Sequence, residues 1–122
     1  MSIETVAVIG AGVMGSGIAA QIANAGKKVL LLDIVPEGAS NKNVIAEGAI
    51  QKLLKVKPAA LMHKRNAKNI TAGNLEDNLN DLADVDWIIE VIIERLDLKQ
   101  SLYKKIDAVR KPNCIISSNT ST

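Results

Sequence analysis

Several residue types are scarce in this 122-residue sequence, and each scarcity excludes a class of protein. One cysteine, Cys114, excludes a disulfide framework and a multi-cysteine metal site, and we expect no metal. Two aromatic residues, Trp87 and Tyr103, are too few for a base-stacking platform, so we expect no nucleic-acid partner. No apolar run approaches the roughly 20 residues of a membrane span. The first residues also lack the regions of a signal peptide, so we expect a cytoplasmic protein.

The remaining composition, 48% hydrophobic and 23% charged, is typical of one globular domain. Nearly continuous apolar runs predict short strands buried on both faces, as in parallel sheets. The predicted strands cover residues 5–9, 29–32, 87–91 and 114–117, with a weaker one at 69–71.

Between these strands, apolar residues recur at helical spacings of three and four. The stripes are Met14, Ile18, Ile22 and Ala25; Ile45, Ala49, Leu53 and Val56; and Leu98, Leu102, Ile106 and Val109. We expect Gly26 to end the first helix and Pro58 to end the second, while Pro112 follows the third. Alternating strands and helices predict an α/β domain over residues 1–122. Its Rossmann-type, doubly wound sheet is mainly parallel, with helices on both faces.

A glycine-rich turn is the strongest functional motif. It follows the first predicted strand, opens the first predicted helix and consists of Gly10, Ala11, Gly12, Val13, Met14 and Gly15. Gly10 permits the tight turn, Gly12 lets a pyrophosphate approach the backbone, and Gly15 lets helix and strand pack closely. The helix N-terminus offers N–H groups and a positive dipole to phosphates. The motif therefore predicts a dinucleotide site.

Asp33 ends the second predicted strand, 18 residues after Gly15, where a carboxylate can accept hydrogen bonds from an adenosine ribose. Its charge would repel a ribose 2′-phosphate, and residues 34–36 supply no arginine to bind one. NAD(H) is therefore favoured over NADP(H). The alternative is that Asp33 only stabilises a turn or caps a helix.

Two other polar features lie at the predicted carboxyl edge of the sheet, where ligands bind in such folds. Glu90 lies in an apolar run and either serves a ligand site, caps the next helix or pairs with Arg95. The hydroxyl-rich residues 117–122 either hold a nicotinamide ribose and a substrate oxygen or form an ordinary loop.

Charge is segregated along the second half of the chain. Residues 52–68 contain six basic side chains and no acid, whereas residues 76–97 contain eight acids and one arginine. Either these are two solvated faces that attract one another, or the basic stretch binds a phosphorylated ligand.

Residues 8–19, 89–94 and 118–121, in this order, resemble the NAD-binding domain of L-3-hydroxyacyl-CoA dehydrogenases of fatty-acid β-oxidation. The resemblance spans the whole chain. It implies that the glycine turn and Asp33 bind the adenosine half of NAD. It also implies further NAD contacts by Glu90, Ile92 and Asn119, and places Ser121 beside nicotinamide and substrate. Coenzyme A contacts are implied for Ala49, Lys52, Lys55 and Lys57. Arg95 stands where the family has asparagine.

The resemblance further implies that the general-base histidine of the family follows the serine, beyond Thr122, since His63 matches no catalytic position. We therefore expect an amino-terminal fragment, inactive alone, that lacks the carboxyl-terminal catalytic and dimerisation part. The parent enzyme is expected to be a homo-oligomer that oxidises 3-hydroxyacyl-CoA to 3-oxoacyl-CoA, with hydride transfer to NAD. The alternatives are a non-catalytic NAD(H)-binding or sensing module and a dehydrogenase of a 3-hydroxy acid without coenzyme A.

Overall fold

The computed structural model describes residues 3–35, 38, 40–55, 64–91 and 96–118. Within these ranges one sheet has five parallel strands, in the order β3-β2-β1-β4-β5. The strands are β1 (Thr5–Ile9), β2 (Lys28–Asp33), β3 (Ile70–Asn74), β4 (Trp87–Glu90) and β5 (Ile115–Ser118). The chain grows outward from β1 to β3 and then returns to the other side of β1, which creates a topological switch point between β1 and β4. The predicted doubly wound sheet is confirmed, and all of these strands are parallel.

Helices cover both faces of the sheet. They are α1 (Val13–Asn24), α2 (Val44–Lys55) and α3 (Leu96–Val109), with 3₁₀ helices at Lys64–Asn69 and Leu79–Asp84. Side chains alternate along β1, so Val6 and Val8 pack towards α1 and α2. Ala7 and Ile9 belong to the second apolar layer, which includes residues of α3 and of the second 3₁₀ helix. None of the helices in the described ranges is long and apolar enough to cross a membrane.

The end of α1 follows the prediction from Gly26. This glycine has a φ of +83°, and its N–H donates to Ala23 O at 3.0 Å. The N–H of Lys27 donates to Ile22 O at 3.3 Å, which completes a Schellman motif. A left-handed glycine therefore turns the chain from α1 into β2.

Strand boundaries differ from the predicted ones by a few residues. Strand β2 is one residue longer at each end, β4 stops at Glu90, and β5 begins at Ile115. The weak strand at 69–71 is Ile70–Asn74, a five-residue edge strand paired with β2. The last three residues of its sequence ITAGN are depleted in strands, so pairing with β2 extends the strand beyond the predicted end at residue 71. The predicted end of α2 at Val56 and Pro58 lies outside the described residues.

A polar cluster stabilises the edge of the sheet at which the strands begin, opposite the glycine turn. Asp86 Oδ2 accepts hydrogen bonds from the backbone N–H groups of Glu4 at 2.9 Å and Thr5 at 3.2 Å. Its Oδ1 forms an ion pair with Lys111 Nζ. The hydrogen bond from Lys111, followed by those from Glu4 and Thr5, lowers the pKa of Asp86 to about 2. The cluster links the starts of β1 and β4 to the segment before β5.

Candidate dinucleotide site

The glycine turn joins β1 to α1 at the switch point of the sheet. Gly10 has a φ of +115°, a conformation that favours glycine, and its N–H donates to Leu32 O at 2.7 Å. A Cβ on Gly15 would lie 1.7 Å from Gly10 O and 2.9 Å from Val91 Cγ2. Both glycines are therefore required mechanically, as the sequence predicts, because the turn is tight and α1 begins in direct contact with it.

Ala11, in the middle of the turn, is held from two sides. Its N–H donates to Asp33 Oδ2 at 2.7 Å, and its carbonyl accepts a hydrogen bond from Ser16 Oγ at 3.1 Å. The sequence reasoning missed Ser16. The available signal is a hydroxyl residue in the first helical turn, since such side chains bind nearby backbone groups. The two contacts therefore fix the backbone of the turn from within the protein.

The N-terminus of α1 has the features of an anion-binding site. Gly12 is its N-cap residue, and within the described residues no side chain hydrogen bond caps the helix. The first turn contains no acidic residue. No described atom lies within 4 Å of the position that a Cβ on Gly12 would take. The positive end of the helix dipole therefore lies beside a glycine that leaves room for a ligand, which fits a pyrophosphate.

Asp33 lies beside this turn at the carboxyl end of β2. Besides Ala11, it binds the N–H of Ile34 through Oδ1 at 2.7 Å. Asp33 thus has the turn-stabilising role that was the alternative prediction. A carboxylate has about four acceptor positions, so ribose hydroxyls can bind in addition to these two N–H groups. The structure is compatible with both roles.

Glu90 ends β4 and is completely buried. Its Oε1 accepts a hydrogen bond from Tyr103 Oη in α3 at 2.8 Å. It shares the face of Ile88, which packs in the layer of α3. Sequence reasoning missed Tyr103 because the contact joins a strand and a helix turn without any local pattern. The alternative partner, Arg95, lies outside the described residues.

A cavity of about 690 Å³ lies between the glycine turn and α2. Gly12 and Val13 line one side, and Ala49 and Lys52 line the other. The structure therefore brings two of the implied coenzyme A contacts next to the implied NAD site. Lys55 is in the last turn of α2 but does not line this cavity. Lys52 and Lys55 also lie where cations stabilise a helix C-terminus, which agrees with the alternative reading of the basic stretch as a solvated face.

A buried asparagine positions the start of α2. Asn74, at the end of β3, donates through Nδ2 to Asn43 Oδ1 at 2.6 Å, directly before α2. Its Oδ1 accepts hydrogen bonds from the backbone of Glu76 and Asp77. Asn74 is therefore part of the scaffold that places the cavity wall, and sequence reasoning missed this role.

Several of the implied site residues lie outside the described ranges. They are Ile92, Asn119, Ser121 and Lys57, and the same holds for His63. Their implied roles stay predictions. Ser117, which begins the hydroxyl-rich stretch, accepts a hydrogen bond from Trp87 Nε1 at 3.0 Å. Its hydroxyl therefore joins β5 to β4.

The switch-point turn, the helix N-terminus capped by a glycine and the strand-end acid define a dinucleotide-binding Rossmann domain. Residues 5–122 match the family described as "3-hydroxyacyl-CoA dehydrogenase, NAD binding domain". The chain belongs to this family, and its cofactor is NAD.

Curated relatives and solved structures agree with this assignment. The chain is 53% identical over 121 residues to a probable 3-hydroxyacyl-CoA dehydrogenase of Deinococcus radiodurans, covering 99% of the chain and 35% of the relative. It is 45% identical to a Bacillus subtilis protein of the same description, covering 98% and 17%. A 3-hydroxybutyryl-CoA dehydrogenase structure from Escherichia coli is 32% identical with a TM-score of 0.79, covering 100% and 25%. The chain thus spans about a third or less of these proteins.

Proposed function

We propose that the chain is the NAD-binding part of an NAD-dependent 3-hydroxyacyl-CoA dehydrogenase, which oxidises 3-hydroxyacyl-CoA to 3-oxoacyl-CoA in fatty-acid β-oxidation. The observation that carries the proposal is the glycine turn, which Asp33 and Ser16 fix at Ala11 in front of the N-terminus of α1. Membership of the family supports it.

The described residues fit the cofactor at its adenosine and pyrophosphate parts. Backbone N–H groups at the start of α1 bind the pyrophosphate, and the exposed residues Val13 and Met14 lie beside it. Asp33 binds the ribose hydroxyls and disfavours a 2′-phosphate. NAD, when bound, supplies the hydride acceptor, while the domain supplies position and electrostatics.

The acyl-CoA side of the site is built from α2. Lys52, on the wall of the cavity, attracts the phosphates of coenzyme A, and the small Ala49 leaves room for the ligand. We extend this role to Lys55 and Lys57 in the same basic stretch. Glu90, Ile92 and Asn119 complete the cofactor edge in this proposal, and Ser121 contacts substrate and nicotinamide.

The proposed reaction also needs a general base, which takes the proton of the 3-hydroxyl group. We propose that this base is a histidine in the part of the parent enzyme that lies outside residues 1–122. The relatives extend well beyond the matched region, which supports this division. We further propose a homo-oligomeric parent enzyme in the cytoplasm.

The test is calorimetric titration of the purified chain with NADH, NADPH and acetoacetyl-CoA, with free acetoacetate as the matched control. We expect NADH to bind more tightly than NADPH, and the thioester to bind where acetoacetate does not. Equal binding of acetoacetate and its thioester would favour a dehydrogenase of a 3-hydroxy acid without coenzyme A. Binding of NADH without either substrate analogue would contradict the coenzyme A role proposed for α2.

A further inference from the structure

A buried carboxylate joins the outer helix α3 to the sheet edge that holds the glycine turn. Glu90 has no solvent-exposed surface, and Tyr103 Oη donates a hydrogen bond to its Oε1 over 2.8 Å. A carboxylate is costly to remove from water unless hydrogen bonds replace the lost ones. The tyrosine hydroxyl therefore stabilises the buried acid and fixes its orientation.

The backbone at the end of β4 contacts the residue before the glycine turn. Glu90 pairs with Ile9, the residue before the turn, and the N–H of Val91 donates to Ile9 O at 2.9 Å. The side chain of Val91 also packs against Gly15, where an added Cβ would lie 2.9 Å from Cγ2. A shift at the end of β4 would therefore move the turn and the start of α1.

We propose that Tyr103 is a positioning residue for NAD(H), acting through Glu90 and the end of β4 on the glycine turn. This inference rests on the proposed NAD site. Glu90 is fully buried, so this action on the turn passes through the end of β4 and requires no contact between Tyr103 and the cofactor. Without the hydroxyl the carboxylate loses a donor, and the end of β4 moves to let water replace it. The preformed turn then loses the geometry that binds the pyrophosphate.

The first test is NADH titration of the Tyr103→Phe variant, which removes only the hydroxyl oxygen. A hydrogen bond to a charged group contributes a factor of about ten or more. Because the hydroxyl acts on the turn only indirectly, we expect NADH affinity to fall by less, about three- to tenfold. The matched control is Asn66→Ala, which removes a 3.0 Å hydrogen bond to Asn24. Asn24 ends α1, roughly 18 Å from its start, so this variant should bind NADH like the wild type.

A second measurement separates positioning from a purely structural role and needs no variant. Tyr103 is the only tyrosine, so protein labelled with ¹³C at the tyrosine ζ-carbon gives one resonance. We expect NADH to shift this resonance with the same Kd that calorimetry gives. A resonance that stays fixed at NADH saturation, or a folded Tyr103→Phe variant that binds like the wild type, would overturn the inference alone. If the wild-type chain bound no NADH, the proposed function itself would fail.

Discussion

Replacing Asp33 with asparagine changes the charge of the candidate site with almost no change of shape. In the structure the two carboxylate oxygens accept the N–H groups of Ala11 and Ile34, both at 2.7 Å. An asparagine has one acceptor oxygen and one NH₂ donor, so one of these two N–H groups would face another donor. The substitution therefore weakens ribose binding and loosens the glycine turn at the same time.

The expected magnitude follows from the charged acceptor. A hydrogen bond to a charged group contributes about 1.5–3 kcal/mol, so Asp33→Asn should weaken NADH binding about ten- to hundredfold. Discrimination against NADPH should fall as well, since the repulsion of the 2′-phosphate is lost. Isothermal calorimetry at physiological salt measures both affinities.

Two comparison variants separate the causes. Asp84→Asn makes the same charge change at an exposed position in the second 3₁₀ helix and should leave NADH affinity unchanged. Ser16→Ala removes the neutral hydrogen bond on the other side of Ala11, worth about 1 kcal/mol, so its effect should be smaller than that of Asp33→Asn. If Asp33→Asn kept both the NADH affinity and the preference over NADPH, the assignment of Asp33 to the site would be wrong.

Three other perturbations test separate parts of the account. Gly15→Ala should lower the free energy of unfolding, measured in urea, by about 4 kcal/mol or more, because its Cβ would overlap a backbone oxygen. The control Gly17→Ala should be neutral or stabilising, because no described atom lies within 4 Å of the position of its Cβ. The pKa of Asp86 falls from 3.8 unfolded to about 2 folded, so its stabilisation is complete above about pH 4 and disappears as the pH falls to 2. Thermal melts from pH 2 to 6 should show this loss of stability, and the Asp86→Asn variant should depend less on pH over the same range. An equal pH dependence of the melting temperature in both proteins would contradict the role of Asp86. Lys52→Gln should weaken acetoacetyl-CoA binding more than Lys55→Gln does, with NADH affinity unchanged, because Lys52 lines the cavity and Lys55 does not. If both variants lost thermal stability but kept their acetoacetyl-CoA affinity, the two lysines would belong to the solvated face instead.

Local patterns were sufficient to predict most of the sheet and the glycine turn. Strand β1 and the Gly26 cap match their predictions because both depend on neighbouring residues in the chain. The 3₁₀ helices were not predicted, since each is six residues long and has too few apolar positions to show a period. Strand β3 was predicted only weakly because its last three residues have a low strand propensity and are held in the strand by pairing with β2.

The contacts that shape the site were the part that sequence reasoning missed. Ser16 to Ala11 spans five residues, Tyr103 to Glu90 spans thirteen, and Asn74 to Asn43 spans thirty-one. Each joins groups whose meeting depends on how the elements pack. The sequence identifies Asp33 and Glu90 as important acids, whereas only the fold shows that one binds the turn and the other lies buried beneath α3.

The central claim is that NAD(H) binds at the glycine turn, and backbone amide shifts test it most directly. The chain has eight glycines, so selective ¹⁵N-glycine labelling gives a small set of resonances spread over the whole fold. On titration with NADH we expect Gly10, Gly12 and Gly15 to shift most, while Gly26, at the far end of α1, stays fixed. Unchanged turn resonances at NADH saturation, or larger shifts at Gly26 than at Gly12, would contradict the assignment of the site.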